Sequence, residues 1–198
     1  MRCFLAATIL TLSAATANAA AITYDVNRAI GAGSVTGFIT TDGTLGDLFA
    51  GNISDWSLTL TAPDPNNAGS VISDTISKSG SDSIFIVAPL GNTPVTATTT
   101  QLLYDFTPSE DTTYMLFFGT TSPNLNWCLE TINCNSDGAG SMEYISYIDT
   151  SGNKVLLSSV NHTGEITFAN TAAIPVPAAV WLFGSGLIGL AGFTRRKK

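Results

Sequence analysis

The sequence is poor in the residues that most enzyme active sites need. Among its 198 residues there is one histidine, His162, and there are three cysteines. It contains no Gly-x-Ser-x-Gly elbow, phosphate-binding loop, dinucleotide fingerprint or metalloprotease helix motif. His162 stands in Asn161-His162-Thr163-Gly164, a pattern typical of an exposed hairpin turn. We therefore predict a protein without catalytic residues, metal ligands or a cofactor.

Positive charge is also scarce in the central part of the chain. Residues 20–173 carry all fifteen acidic residues and only three cations, Arg28, Lys78 and Lys154, so their net charge is −12. This balance argues against nucleic acid as a partner, because its phosphates require many cations. It also argues against binding to an anionic membrane surface. The charge is typical of a soluble extracellular protein that resists association.

The acidic residues leave one enzymatic alternative open. A glycosidase needs only two carboxylates that flank its substrate. Most aspartates here stand singly near Gly, Asn or Ser, as turn-forming residues do. Two inward carboxylates in one cleft would favour a secreted carbohydrate-active enzyme. An exposed face that presents Trp127 or tyrosines would favour a binding protein.

The first nineteen residues, Met1–Ala19, have the pattern of a secretory signal peptide. Arg2 precedes an apolar stretch, Phe4–Ala15, and an Ala-x-Ala cleavage site follows at Ala17 and Ala19. We therefore expect export across the inner membrane and removal of this segment.

The last residues, Ile174–Lys198, combine an extended motif, an apolar run and a basic end. The motif is Pro175, Val176, Pro177 and Ala178, the run is Ala178–Phe193, and the basic stop is Arg195, Arg196, Lys197 and Lys198. The segment from Ile174 to Thr194 is long enough for a membrane-spanning helix, which needs about 20 residues. The basic residues favour a cytoplasmic end, with the rest of the chain outside. The prolines favour an extended segment that a protease can reach.

This C-terminal pattern resembles the PEP-CTERM sorting signals of bacteria. Val176 between the prolines is similar to the Val-Pro-Leu-Pro-Ala variant, whereas the common form has Glu there. The resemblance implies that an exosortase, a membrane protease-transpeptidase, processes the tail. It implies transient anchoring in the inner membrane, then a place at the cell surface or in the extracellular polysaccharide matrix. The alternative is a membrane-anchored protein whose tail is never cleaved.

The central part of the chain has the pattern of an all-β domain. Period-two alternation recurs between clusters of Gly, Asp, Asn and Pro, and no segment keeps a helical period. The predicted strands comprise one that starts with Ile22, Tyr24 and Val26, one that contains Met142, Tyr144, Ser146 and Ile148, and the segments Val35–Thr41, Ile53–Leu60, Val71–Ser77, Ser83–Ala88, Thr98–Phe106, Tyr114–Gly119, Lys154–Val160 and Gly164–Ala169. Asp42-Gly43 predicts a hairpin after the second strand. Many short strands indicate an antiparallel β-sandwich or jelly roll.

The sequence thus divides into a signal peptide (1–19), a β-sandwich body (20–173) and a sorting tail with a transmembrane helix (174–198). In the body we expect an irregular stretch, Thr120–Gly140, that contains Cys128 and Cys134. Because the exterior is oxidising, we predict a disulfide between these two cysteines. The expected function is a non-enzymatic structural or binding role in an exopolysaccharide matrix or biofilm.

Overall fold

The structure, a computed structural model, describes residues 20–79, 82–87, 93–107, 115–119, 125–131, 141–149, 151 and 153–172. These residues form thirteen strands and one short 3-10 turn, Ala50–Asn52. The strands are β1 (Ile22–Ile30), β2 (Gly33–Thr41), β3 (Gly46–Asp47), β4 (Ile53–Pro63), β5 (Val71–Ser77), β6 (Ser83–Val87), β7 (Val95–Ala97), β8 (Gln101–Asp105), β9 (Met115–Gly119), β10 (Leu125–Glu130), β11 (Met142–Ile148), β12 (Lys154–Asn161) and β13 (Glu165–Thr171).

The strands form two antiparallel sheets. The large sheet has the order β3-β7-β8-β13-β1-β2-β4-β5, and the small sheet has the order β12-β11-β10-β9-β6. One hydrophobic core contains buried side chains from both sheets, so the arrangement is sandwich-like. The predicted all-β antiparallel fold is confirmed.

Alternating apolar residues explain why one face of each strand is buried. In β4 the side chains of Trp56, Leu58 and Leu60 are at most 1% exposed, as their spacing predicts. The Trp56 ring packs edge-on against Phe118 of the small sheet, with 5.3 Å between ring centroids. Phe118 also stacks on Trp127 at 5.4 Å. Aromatic side chains therefore join the two sheets at the centre of the core.

The prediction of an irregular stretch over Thr120–Gly140 is wrong for its middle. Leu125–Glu130 is β10, the central strand of the small sheet, and all six of its residues are buried. Leu125, Trp127 and Leu129 do alternate with Asn126 and Glu130, but the Pro- and Asn-containing segments on either side favoured a loop. The short strands β3 and β7 were not predicted either, because two or three residues are too few to show period-two alternation.

The predicted hairpin at Asp42-Gly43 is also wrong. β2 pairs with β4, and the chain between them leaves to form β3, which pairs with β7. The backbone N–H of Asp42 donates to the carbonyl of Asn52, where the excursion returns to the sheet. Gly43 has a φ of 91°, so it makes a sharp bend at the start of the excursion.

A tight turn between β1 and β2 is held by the edge strand of the other sheet. Ser158 of β12 accepts hydrogen bonds from the backbone N–H groups of Ala32 and Gly33, and its hydroxyl donates to the carbonyl of Ile30. Gly31 has a φ of 56°, and a Cβ atom there would lie 2.7 Å from the Ser158 hydroxyl. Glycine is therefore required at this contact between the sheets.

The predicted signal peptide and sorting tail, 1–19 and 174–198, lie outside the described residues. Across the parts of the chain that the structure does describe, there is no helix with the length and apolar character to cross a bilayer.

Candidate functional site

A buried carboxylate, Glu143, lies between the two sheets. In β11 the side chains of Glu143, Ile145 and Tyr147 alternate with those of Met142 and Tyr144, and Ile145 and Tyr147 belong to the core between the sheets. Glu143 therefore faces the core as well, and it is fully buried. A buried charge is costly unless it has partners, so its surroundings decide what it does.

Four N–H groups surround the carboxylate of Glu143. Arg28 donates from Nε to Oε1 at 3.2 Å and from Nη2 to Oε2 at 2.5 Å. Trp127 Nε1 donates to Oε1 at 3.1 Å, and His162 Nε2 lies 3.0 Å from Oε2. Since an ionised carboxylate offers about four lone-pair positions, this one is fully occupied. It holds the sheets together and has no free position for a substrate proton.

The two basic partners are positioned by different elements. Arg28 lies in β1 of the large sheet, and its Nη1 also donates to the carbonyl of Thr167 in β13 at 3.3 Å. His162 follows β12, and its ring lies against Phe106 with centroids 4.8 Å apart. Its backbone N–H donates to the carbonyl of Ser141 at 3.1 Å. The cluster of Arg28, Trp127, Glu143 and His162 is called the inner glutamate site below.

The interpretation of His162 as an exposed hairpin residue is therefore wrong. Its side chain is only 16% exposed and pairs with Glu143. The strands that flank it, β12 and β13, belong to different sheets, so the segment is a crossover rather than a hairpin.

A second buried carboxylate, Glu130, lies on the outer face of the same sheet. The hydroxyl of Tyr144 donates to its Oε2 at 3.0 Å, and Cys128 Sγ lies 3.9 Å from the same oxygen. Lys154 Nζ lies 3.5 Å from the Tyr144 hydroxyl and 4.8 Å from the ring centroid. Burial raises the pKa of Tyr144 above its usual range, and the neighbouring Cys128 and Glu130 raise it further. These four residues form the outer glutamate site.

The two buried glutamates cannot act on one substrate. Glu143 faces the core and Glu130 faces the opposite side of the small sheet. The backbone of the sheet separates them, whereas glycoside hydrolysis requires two carboxyl groups on either side of one bond. Trp127, which would have marked a binding face if exposed, is fully buried in the core.

A groove opens where the edge strand β5 meets the small sheet. It has a volume of about 350 Å³, near the lower end of the range for ligand pockets, about 300–1,000 Å³. The turn after β4 and strand β5 form one wall, and β10 and β11 form the other. The lining residues are Asp64, Pro65, Asn66, Ile72, Ser73, Asp74, Leu125 and Tyr147.

The two carboxylates of the groove differ in the number of hydrogen bonds that they accept. Asp64 accepts hydrogen bonds from the backbone N–H of Asn66 at 2.8 Å and from the Ser70 hydroxyl at 3.3 Å, one on each oxygen. Asp74 accepts one bond, from the N–H of Thr75 at 2.8 Å. Both oxygens of Asp64 therefore bond within its own turn, as the Asp-Pro-Asn-Asn sequence predicts.

Of the site residues predicted from sequence, only Cys128 falls within the described part of the chain. Its side chain is buried on the outer face of β10. Cys134 lies outside the described residues, so the disulfide stays a prediction. The signal-cleavage residues Ala17 and Ala19 also lie outside, as do the sorting motif Pro175, Val176, Pro177 and Ala178 and the basic stop Arg195, Arg196, Lys197 and Lys198.

The inner glutamate site was missed, although a signal for it exists. Tyr24, Val26, Arg28 and Ile30 alternate, so a single arginine stands on the apolar face of β1. An arginine on an apolar face needs an acidic partner. Glu143 has the same two-residue spacing from Ile145 and Tyr147, so it lies on the apolar face of its own strand. These two patterns together could have predicted the pair.

No family model, curated protein or solved structure matches this chain.

Proposed function

We propose that the protein is exported, sorted by an exosortase and retained at the cell surface or in the extracellular matrix, where it acts by binding or structural presence. The signal-peptide pattern of Met1–Ala19 and the motif at Pro175–Ala178 support export and sorting. The two facing antiparallel sheets support a jelly-roll-like β-sandwich body. The net charge of −12 over residues 20–173 suits a hydrated exterior.

One observation carries the non-enzymatic part of this proposal. The inner glutamate site contains the histidine of the chain and a buried carboxylate, and both are used to join the sheets. Each carboxylate oxygen of Glu143 accepts two hydrogen bonds from protein groups. A general base needs a position within hydrogen-bond reach of the substrate, and this carboxylate offers none.

The sorting step is tested on the protein purified from the envelope of its producing cells. We expect mass spectrometry to find a C-terminus near Pro175–Ala178, because the prolines keep that segment extended outside the apolar run. Replacement of the four terminal basic residues by glutamine serves as the matched variant, and a topology reporter should show weaker cytoplasmic retention of the tail. Recovery of mainly intact Phe193–Lys198 would instead favour the uncleaved membrane anchor.

The disulfide is tested separately in the same preparation. We expect the denatured mature chain to lack reactive thiols, because Cys128 and Cys134 are its two cysteines after signal removal. Labelling of two thiols per chain before reduction would exclude the bridge.

A secreted carbohydrate-active enzyme is the second candidate, and the groove provides its one supporting observation. Asp64 and Asp74 line the same groove, as the two acids of a glycosidase would. We expect no turnover of polysaccharides, because Asp64 is held by its own turn. Sustained hydrolysis that disappears in Asp74→Asn, but not in the exposed control Asp55→Asn, would establish the enzyme instead.

A further inference from the structure

We propose that the groove between β5 and the small sheet is a binding site for a neutral saccharide. The inference rests on the proposed function in one respect, the extracellular compartment in which the protein would meet a saccharide. Its chemical basis is independent of the sorting signals, since it depends on the side chains that line the groove.

Three polar groups of the groove have hydrogen-bonding capacity to spare. Neither the side-chain amide of Asn66 nor the hydroxyl of Tyr147 bonds to any described residue, and Asp74 uses only one carboxylate oxygen. Together they offer donors and acceptors on both walls. Each saccharide hydroxyl can donate one hydrogen bond and accept others, so a sugar ring can match this mixture.

The remaining lining is apolar. Ile72 and Pro65 contribute from the wall of the large sheet, and Leu125 and the ring of Tyr147 contribute from the small sheet. A pyranose presents C–H groups on the faces of its ring and hydroxyls around the rim, and it therefore needs apolar surface as well as polar groups. An amphipathic tyrosine suits this combination because its ring and hydroxyl contact different parts of one ligand.

The acidic lining of the groove favours neutral saccharides over acidic ones. The groove is lined by Asp64 and Asp74 and by no basic side chain of the described residues. An acidic sugar would meet two carboxylates in a body whose net charge is −12, so it is disfavoured. A cationic ligand could pair with the open oxygen of Asp74 alone, because both oxygens of Asp64 already accept hydrogen bonds.

Local structure explains part of the lining but not all of it. Asp64 shapes a turn, and Asp74 is an inward charge on an edge strand, a device that discourages pairing with other chains. Neither role involves the open polar groups of Asn66 and Tyr147. Those two residues line opposite walls of the groove.

The test uses the full-length chain, purified in a detergent without a sugar headgroup. Calorimetry with cellohexaose, laminarihexaose and mannohexaose probes neutral chains, while the chitosan hexamer and hexagalacturonic acid probe cationic and acidic ones. We expect binding of at least one neutral hexasaccharide at millimolar concentration. Asn66→Ala and Tyr147→Phe should each weaken it about fivefold, the effect of one lost hydrogen bond.

Two matched controls separate the groove from the rest of the surface. Asn67→Ala removes an exposed amide from the same turn, and Tyr144→Phe removes a hydroxyl from the opposite face of the same strand. Both controls should bind as the unaltered chain does. The proposal is overturned if no neutral probe binds, if the groove variants bind normally, or if a charged probe is preferred. Correct sorting of a chain that fails this assay would overturn the saccharide site alone.

Discussion

The two glutamates buried on opposite faces of one sheet have different surroundings. Glu143 faces the core and has two basic partners, Arg28 and His162, together with an indole N–H. Glu130 faces outward and accepts a hydrogen bond from the hydroxyl of Tyr144, which Lys154 also approaches. The inner carboxylate thus joins two sheets through an ion pair, whereas the outer one belongs to a polar cluster within a single sheet. We expect the inner site to dominate stability because it links elements distant in sequence.

Removal of the cation from the inner glutamate site should have the largest effect. Arg28→Met leaves the buried Glu143 with only Trp127 and His162 as partners, and loss of one partner of a buried pair costs about 3–5 kcal/mol. The free energy of unfolding is measured by urea titration at neutral pH. Lys78→Met is the matched control, because Lys78 is exposed and bonds to the carbonyls of Ile53 and Ser54. Its cost should be about 1 kcal/mol.

A double variant distinguishes the ion pair from the packing of the arginine side chain. Arg28→Met with Glu143→Met replaces both charges by apolar groups, which is often neutral for a buried pair. It should recover most of the stability that Arg28→Met loses. If the double variant is no more stable than the single one, packing of the arginine rather than the ion pair holds the sheets.

His162→Phe should have an intermediate effect. The phenyl ring can keep the contact with Phe106 but cannot hydrogen-bond to Oε2 of Glu143. A hydrogen bond to a charged group contributes about 1.5–3 kcal/mol, and partial exposure of the site favours the lower value. Urea titration should find a loss of about 1.5 kcal/mol. An unchanged midpoint would mean that Arg28 and Trp127 suffice for Glu143.

These two sites show what the sequence could and could not predict. Period-two alternation predicts most strands, and Val71–Ser77 coincides with β5. The alternation was overlooked for β10, where Leu125, Trp127 and Leu129 do alternate with Asn126 and Glu130, because the Pro- and Asn-containing segments on either side favoured a loop. The prediction also failed at Asp42-Gly43, where local turn chemistry is satisfied but long-range pairing sends the chain to β7. Which strands face each other depends on such contacts, so the groove was beyond prediction.

Tyr144→Phe tests the outer glutamate site and should have a smaller effect at neutral pH. Loss of the hydrogen bond to Glu130 should cost about 1 kcal/mol. Because burial raises the pKa of Tyr144 in the folded state, its contribution is complete below the unfolded pKa of about 10.0 and declines above it. The unaltered chain should therefore lose stability above this pH, and Tyr144→Phe should lose less. Tyr147→Phe is the control at neutral pH, because it removes a hydroxyl from the opposite face of the same strand.

The smallest effect is expected at Asp42, an exposed carboxylate that provides a baseline for the two buried ones. Hydrogen bonds from the Asn52 side chain and the backbone N–H of Thr44 lower the pKa of Asp42 below 3.8. A lowered pKa means that its contribution is present above the unfolded pKa and is lost as the pH falls through the folded value. Asp42→Asn should thus shift the urea midpoint slightly at neutral pH and reduce the loss of stability in acid. Asp55→Asn, an exposed strand residue, is the control. If Asp42→Asn destabilises the chain as much as Arg28→Met, the excursion between β2 and β4 holds the fold together more strongly than the inner glutamate site does.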